Sequence, residues 1–304
     1  MGKELPTIVR AFAGSLADAE GLLAVERATF DESPYSAQEI RAMLSRGPGG
    51  QQAWLALVDG RVAGFVAAFA THGLVGPSWE IDLLAVHPDA SGQGLATRLI
   101  RAAAAHGARL AGRARAVVAA ENERSTRAFL RAGFRDSGRP CRLLIYRPGT
   151  HDAPSWPGPE VAVRPAASLA EVEGWLPGSP SPGALPREGL SLLVVEEGGR
   201  PAGYVELLDV QTLLYRGAWI ESLVATTERA RTALVQAALA RAAAGGLDEI
   251  GAMVPEGDGP WQRTLMSLGF ESLGEFGWLV ARLPLPGLAA SPGAAVVTLG
   301  AGNA

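Results

Sequence analysis

Cysteine occurs once in the 304 residues, at Cys141, and lysine once, at Lys3. A single thiol excludes an internal disulfide framework and a cysteine-cluster metal site. Cys141 therefore reads as a core residue. Arginine takes every other basic position, yet the formal charge is −4. The broad positive face that phosphate contacts require is absent from this balance, which sets nucleic acid aside as a partner. Apolar segments end well short of 18 residues, and no charged n-region followed by an apolar h-region opens the chain. The sequence thus predicts neither a membrane span nor a signal peptide, and a cytoplasmic protein without membrane contact is the expectation. At 48% hydrophobic and 19% charged residues, the length suffices for two ordinary domains with cores of their own.

The most informative stretch runs from Trp79 to Ala96, WEIDLLAVHPDASGQGLA. Ile81, Leu83, Leu84 and Val86 form a short apolar run that predicts a central strand. The chain then turns through His87 and Pro88 into a loop where Gly92 and Gly94 leave the backbone unshielded, just before a helix carrying Leu99 and Ile100. The first amides of a helix have no intrahelical partner and point outward along the positive end of the dipole. Such a turn can cradle a pyrophosphate without a basic side chain. A dinucleotide-type oxidoreductase fits poorly, because SGQGLA does not follow the G-x-G-x-x-G spacing.

Two motifs in order resemble the GNAT-type N-acetyltransferase superfamily. One is Val86-x-Pro88 followed by SGQGLA, with Ser91, Gly94 and Ala96 at the positions of that family's Arg/Gln-x-x-Gly-x-Gly/Ala loop. The other is NERSTRAFLRAGF, from Asn122 to Phe134. Ser91 departs from the usual Arg or Gln, so side-chain help to the phosphates is not expected from that position. The resemblance implies an α+β fold with a mixed, splayed central sheet flanked by helices. It also implies acetyl-CoA as co-substrate, a primary-amine acceptor, and no metal. Cofactor contacts would come from the backbone at Leu84 and Val86, from Ser91, Gly92, Gln93, Gly94, Leu95, Ala96 and Thr97, and from Asn122 and Phe129. Asn122 also needs no function beyond capping its helix. Phe129 takes the place where many members carry a tyrosine that protonates the leaving thiolate; phenylalanine has no proton to give, and it could equally be core.

Taken in order, Thr7 to Ala13 reads as a strand, and Ser15 caps a helix through Ala28. Ser36-x-x-Glu39 is a capping box ahead of a second helix. Asp59-Gly60 joins Trp54 to Val58 with Val62 to Ala70 as a hairpin. The Trp79 strand, its helix, a strand at Ala114 to Ala119, the Asn122 helix and two short strands to Tyr146 complete a first unit. Proline and glycine then crowd RPGTHDAPSWPGPE, which marks a linker. A second unit repeats the first at an offset of 139: GRPAGYVEL echoes GRVAGFVAA, Ile220, Leu223 and Ala225 fall on Ile81, Leu84 and Val86, and Ser168-x-x-Glu171 is another capping box. The reading is an internal duplication, with a catalytic domain at 1–147, a linker at 148–159, a degenerate domain at 160–286 and a flexible tail at 287–304. The second copy lacks the glycine turn, having Ala230 to Val235 in its place, and Trp219 stands where the first has Glu80. It is expected to wall the acceptor groove, so that the chain is a pseudo-dimer, monomeric or at most a weak homodimer.

Acyl transfer needs a neutral amine, whereas an alkyl ammonium has a pKa near 10. About three units of protonation, roughly 4 kcal/mol, must be removed at neutral pH. Glu80 is the first candidate base, because its place before Ile81 resembles that of the catalytic glutamate in histone-acetylating members. Asp82 is the reserve, two residues on along the strand. Asp31 and Glu32 are further candidates for drawing in a cationic acceptor. The alternative to an enzyme is a non-catalytic acyl-CoA-binding regulator.

Overall fold

A computed structural model describes residues 7–30, 33–45, 51–149, 161–176, 189–213 and 215–286. In chain order the first half contains β1 (Thr7–Ala11), α1 (Leu16–Phe30), α2 (Ala37–Leu44), β2 (Gln52–Val58), β3 (Arg61–Gly73), β4 (Gly76–Val86), α3 (Leu95–Gly107), β5 (Arg113–Ala119), α4 (Glu123–Ala132), β6 (Arg135–Asp136) and β7 (Cys141–Tyr146). The second half contains β8 (Val161–Pro165), β9 (Leu190–Glu197), β10 (Arg200–Gln211), β11 (Arg216–Ala225), α5 (Glu228–Gly245), β12 (Glu249–Pro255), α6 (Gly259–Ser267) and β13 (Glu271–Arg282). Asp31, Glu32, most of the expected linker and the expected tail lie outside the described residues.

Local chemistry explains the elements that the sequence marks. The Ser15 hydroxyl accepts from Asp18 N at 3.1 Å at the start of α1. Ser36 and Glu39 exchange both bonds of the capping box at α2. Asp59 and Gly60, with φ of 51° and 75°, make the left-handed two-residue turn of the β2–β3 hairpin. The second expected capping box does form at Ser168 and Glu171, but it opens a short 3-10 turn, Leu169–Glu171, in place of an α-helix.

The strands form one continuous sheet in the order β1-β2-β3-β4-β5-β13-β7-β12-β11-β10-β9-β8. Each half has the mixed, splayed sheet expected of it, with β4 parallel to β5 and β11 parallel to β12. The last strand of each half crosses to the other. β7 pairs with β12 of the second half, and β13 pairs with β5 of the first, so each half's sheet is closed by the other's last strand. A pseudo-two-fold relation runs between β7 and β13, which pair antiparallel.

Two hairpin tips repeat this exchange. β3 and β4 run longer than expected and meet at Gly73 and Gly76. Leu74 at their tip packs among Val172, Leu190 and Tyr204 of the second half. The corresponding residue in the repeat, Leu213, packs among Leu22, Ile40 and Phe65 of the first. Both leucines are essentially fully buried. Glu206 fastens the first tip, accepting from Leu74 N at 2.6 Å and from Ser222 Oγ at 2.8 Å.

Candidate active site

Pairing between β4 and β5 covers only Trp79 with Ala114 and Glu80 with Arg115. Beyond Glu80 the strands part, although β4 continues to Val86 on its β3 side. The edge of Leu84 and Val86 that faces the split therefore has backbone groups with no partner from β5. At the end of β4 a short 3-10 turn, Pro88–Ala90, leads into Ser91–Gly94. His87 stays a turn residue, its Nδ1 accepting from Asp89 N at 3.3 Å.

Gly92 and Gly94 have φ of 80° and 73°, which a side chain at either position would strain. No heavy atom lies within 4 Å of where their Cβ atoms would be, so the turn is open to a ligand. Gly94 caps α3 without any side-chain bond. The amides of Leu95, Ala96 and Thr97 thus face outward without an intrahelical acceptor. Ser91, Gly92, Gln93 and Gly94 are all exposed around them. The residues present fit a pyrophosphate.

The other two expected cofactor contacts differ from each other in exposure, Asn122 being exposed and Phe129 buried. The Asn122 side chain accepts from Ser125 N at 3.1 Å, capping α4. Phe129 is only 3% exposed and meets Phe134 edge to face, with ring centroids 5.1 Å apart. It belongs to the core under α3 and offers no surface to a ligand.

On the other side of the sheet split, a chamber of about 590 Å3 lies between the halves, and Glu80 and Asp82 both line it. Their environments differ. Glu80 accepts from Arg115 Nε at 2.8 and 2.9 Å and from Thr71 Oγ1 at 2.7 Å. The rest of the Arg115 guanidinium holds Glu221 through Nη1 at 2.6 Å and Nη2 at 2.7 Å. All three side chains are nearly buried, and Arg115 lies 4.7 Å from the centroid of Trp278. Burial raises the Glu80 carboxyl above the ordinary carboxylate range, and the Arg115 charge works against that rise. A carboxylate with both oxygens on a guanidinium is a poor proton acceptor.

Asp82 has no such cation. Between Ala68–Ile81 and Ala67–Leu83 the pairing of β3 with β4 shifts by one, leaving Asp82 as the extra residue of a β-bulge. Bulges re-aim side chains beside active sites. One oxygen of Asp82 accepts from Gln51 Nε2 at 3.1 Å. Burial lifts its carboxyl to about 7 against the pull of that bond, with the charges of Glu80 and Glu249 adding to the rise. Of the two carboxylates that the sequence offered, the reserve is the one poised near neutral pH.

Sequence reasoning missed Arg115, Tyr215 and Glu249, which share the chamber. Burial raises the Tyr215 hydroxyl far above its usual value, with help from Asp82, Glu249 and Glu80, so it stays protonated. One signal was available for Arg115: it sits inside the alternating strand RARAVVA, where an inward charge demands a partner. Among the described residues no cluster of three or more His, Cys, Asp or Glu could hold a metal ion, and no helix is long and apolar enough to cross a membrane.

Residues 20–134, from α1 through the glycine turn to the end of α4, match the model of the acetyltransferase (GNAT) family. The first half thus carries a segment that matches the GNAT acetyltransferase family. No curated protein matches the sequence. Among solved structures, a GCN5-related N-acetyltransferase from Sphaerobacter thermophilus is 19% identical, with a TM-score of 0.57 over 91% of this chain and 96% of that one. A tandem GNAT protein from the clavulanic acid biosynthesis pathway is 15% identical, with a TM-score of 0.51 over 95% of this chain and 100% of that one. A glucosamine N-acetyltransferase region of a fungal multi-domain β-N-acetylglucosaminidase is 15% identical, with a TM-score of 0.58 over 92% of this chain and 38% of that one. At these identities the likeness concerns the fold, which is the tandem GNAT arrangement. The activity general to GNAT enzymes is acyl transfer to nitrogen.

Proposed function

We propose that this protein transfers an acetyl group from acetyl-CoA to a primary amine by direct attack, with both substrates bound at once. The glycine turn and the α3 amides would hold the pyrophosphate, and the free edge of β4 at Leu84 and Val86 the pantetheine arm. The amine would enter from the chamber between the halves. Acetyl-CoA supplies the thioester carbonyl. Asp82 takes one proton from the ammonium, the freed nitrogen pair adds to the carbonyl carbon to form the C–N bond, and the C–S bond then breaks as the second nitrogen proton passes to the departing sulfur, giving the amide and the thiol. The second half serves as the wall of this site, so the chain needs no second copy to complete it.

The observation that carries the proposal is the side-by-side placement of an open anion turn, a split strand pair and a carboxyl raised to about 7. Replacing Asp82 with Asn is expected to lower kcat by roughly 10²-fold or more, the usual contribution of a positioned base. Acetyl-CoA affinity by calorimetry should stay nearly unchanged. In the parent protein kcat/KM should rise as Asp82 deprotonates near pH 7, and the variant should lose that limb. A variant that keeps full activity removes Asp82 from the mechanism. The presence of Phe129 where an acid is expected keeps one rival reading in play. Acetyl-CoA binding without turnover on any amine would make the protein a non-catalytic acyl-CoA-binding regulator.

A further inference from the structure

We propose that the acceptor is a primary amine on an apolar aryl or alkyl body, held in the chamber between the halves with its ammonium on Asp82. This rests on the transferase reading above and adds the class of substrate. The walls carry the argument. Trp219, Leu208 and Val210 of the second half and Leu273, Phe276 and Trp278 of the exchanged strand β13 all line the chamber. Trp219 meets Trp278 edge to face at 6.2 Å and 82°. In the repeat Trp219 occupies the position of Glu80, so the second half presents an aromatic surface where the first presents a charge.

Polar groups on the wall are few and mostly engaged. Thr71 donates to Glu80, and Arg115 is held by Glu80 and Glu221. Arg147 lies 3.7 Å from Glu249 and 4.0 Å from Glu271. An acceptor carboxylate finds no uncommitted cation among these residues, and the several hydroxyls of an amino sugar find only Tyr215 and the carboxyls of Asp82 and Glu249, crowded at one side of an otherwise apolar wall. Burying such groups unpaired is costly, which is how a site rejects them. Charge points the same way, because Glu80, Asp82 and Glu249 outnumber Arg115 and Arg147 on the lining. A chamber of about 590 Å3 is of the size that encloses a small organic molecule.

The test is acetyl-CoA-dependent thiol release with 2-phenylethylamine, hexylamine, glucosamine and phenylalanine. Phenylalanine keeps the aryl body and adds a carboxylate; glucosamine keeps the amine and replaces the apolar body with hydroxyls. The kcat/KM for 2-phenylethylamine and hexylamine should exceed the other two by roughly 10²-fold. Trp219→Ala should raise KM for 2-phenylethylamine by roughly tenfold while leaving KM for acetyl-CoA in place. Equal or better turnover of glucosamine or phenylalanine overturns the inference and leaves the transferase reading standing. Turnover of none of the four counts against the transferase reading, and direct binding then decides the inference. Saturable quenching of tryptophan fluorescence by 2-phenylethylamine, and none by glucosamine, supports it; equal quenching, or none by either, overturns it.

Discussion

The two halves share a sheet plan and differ at one helix start. In the repeat, the position corresponding to Leu95, where α3 begins, is Leu234, yet α5 already begins at Glu228. The earlier start has a simple cause. Thr227 caps α5 by accepting from Ala230 N at 3.1 Å, and Ala230, Ala233, Leu234 and Val235 are buried helix residues. In the first half, two glycines with positive φ hold the same stretch out of the helix and leave its amides to solvent. The bulge beside the split persists in both halves, with Asp82 as the extra residue in one and Glu221 in the other. The first half uses that position for a carboxyl free of any cation, and the second uses it to complete an ion pair with Arg115. Two halves with one sheet plan thus differ by a few residues, which leave an open helix start and a carboxyl without a cation in the first half.

The largest expected effect comes from breaking the link that joins the copies. Arg115→Met leaves Glu80 and Glu221 facing each other, nearly buried, with no cation between them. A loss of about 3–5 kcal/mol is expected in chemical denaturation, and an unchanged midpoint would show that the triad does not join the halves. The hairpin tips sharpen the comparison. Leu74→Ala and Leu213→Ala should each cost about 3 kcal/mol in the same experiment. A cost confined to one of them would mean that the reciprocal packing is not equivalent.

Next comes the helix start itself. Gly94→Trp should weaken acetyl-CoA binding by roughly 10²-fold, about 2.7 kcal/mol, in a parent protein that titrates one acetyl-CoA per chain. Two sites per chain would erase the contrast between α3 and α5. The smallest effect is one of stability. The Asp82 carboxyl rises from its ordinary 3.8 to about 7 in the folded chain, so the native state holds a proton that the unfolded state releases. Stability should fall as pH rises from about 4 to about 7 and stay lower above that. Asp82→Asn should therefore match the parent near pH 4 and exceed it at pH 8, as read by thermal melts across pH.

Much of the fold was legible because its signals are local. Asp59-Gly60, the Ser36 box and the offset of 139 each lie within one short stretch or its copy. The partners of β7 and β13 were not, because Cys141–Tyr146 and Glu271–Arg282 are both apolar enough to close either sheet. Their exchange depends on contacts more than 100 residues apart. The same holds in the site. The glycine turn and both acidic residues are local features of the sequence, but what makes the surroundings of Glu80 differ from those of Asp82 is Arg115 with Glu221, which lie on β5 and β11. Phe129 was read beside the cofactor by resemblance, and its packing on Phe134 places it in the core instead.

The late strand β13 also sets an order of events on the ribosome. β5 leaves the exit tunnel long before the strand that will cover it, by an interval on the order of ten seconds at ~5–20 residues per second. Until then β5 lacks the strand that covers it in the folded chain, and an open strand edge is the kind of surface that recruits foreign strands. Arg113 and Arg115 both lie on it, and charges set into an edge discourage such pairing. The residue that holds the halves together in the folded chain is thus also a charge on the strand that waits longest for its partner.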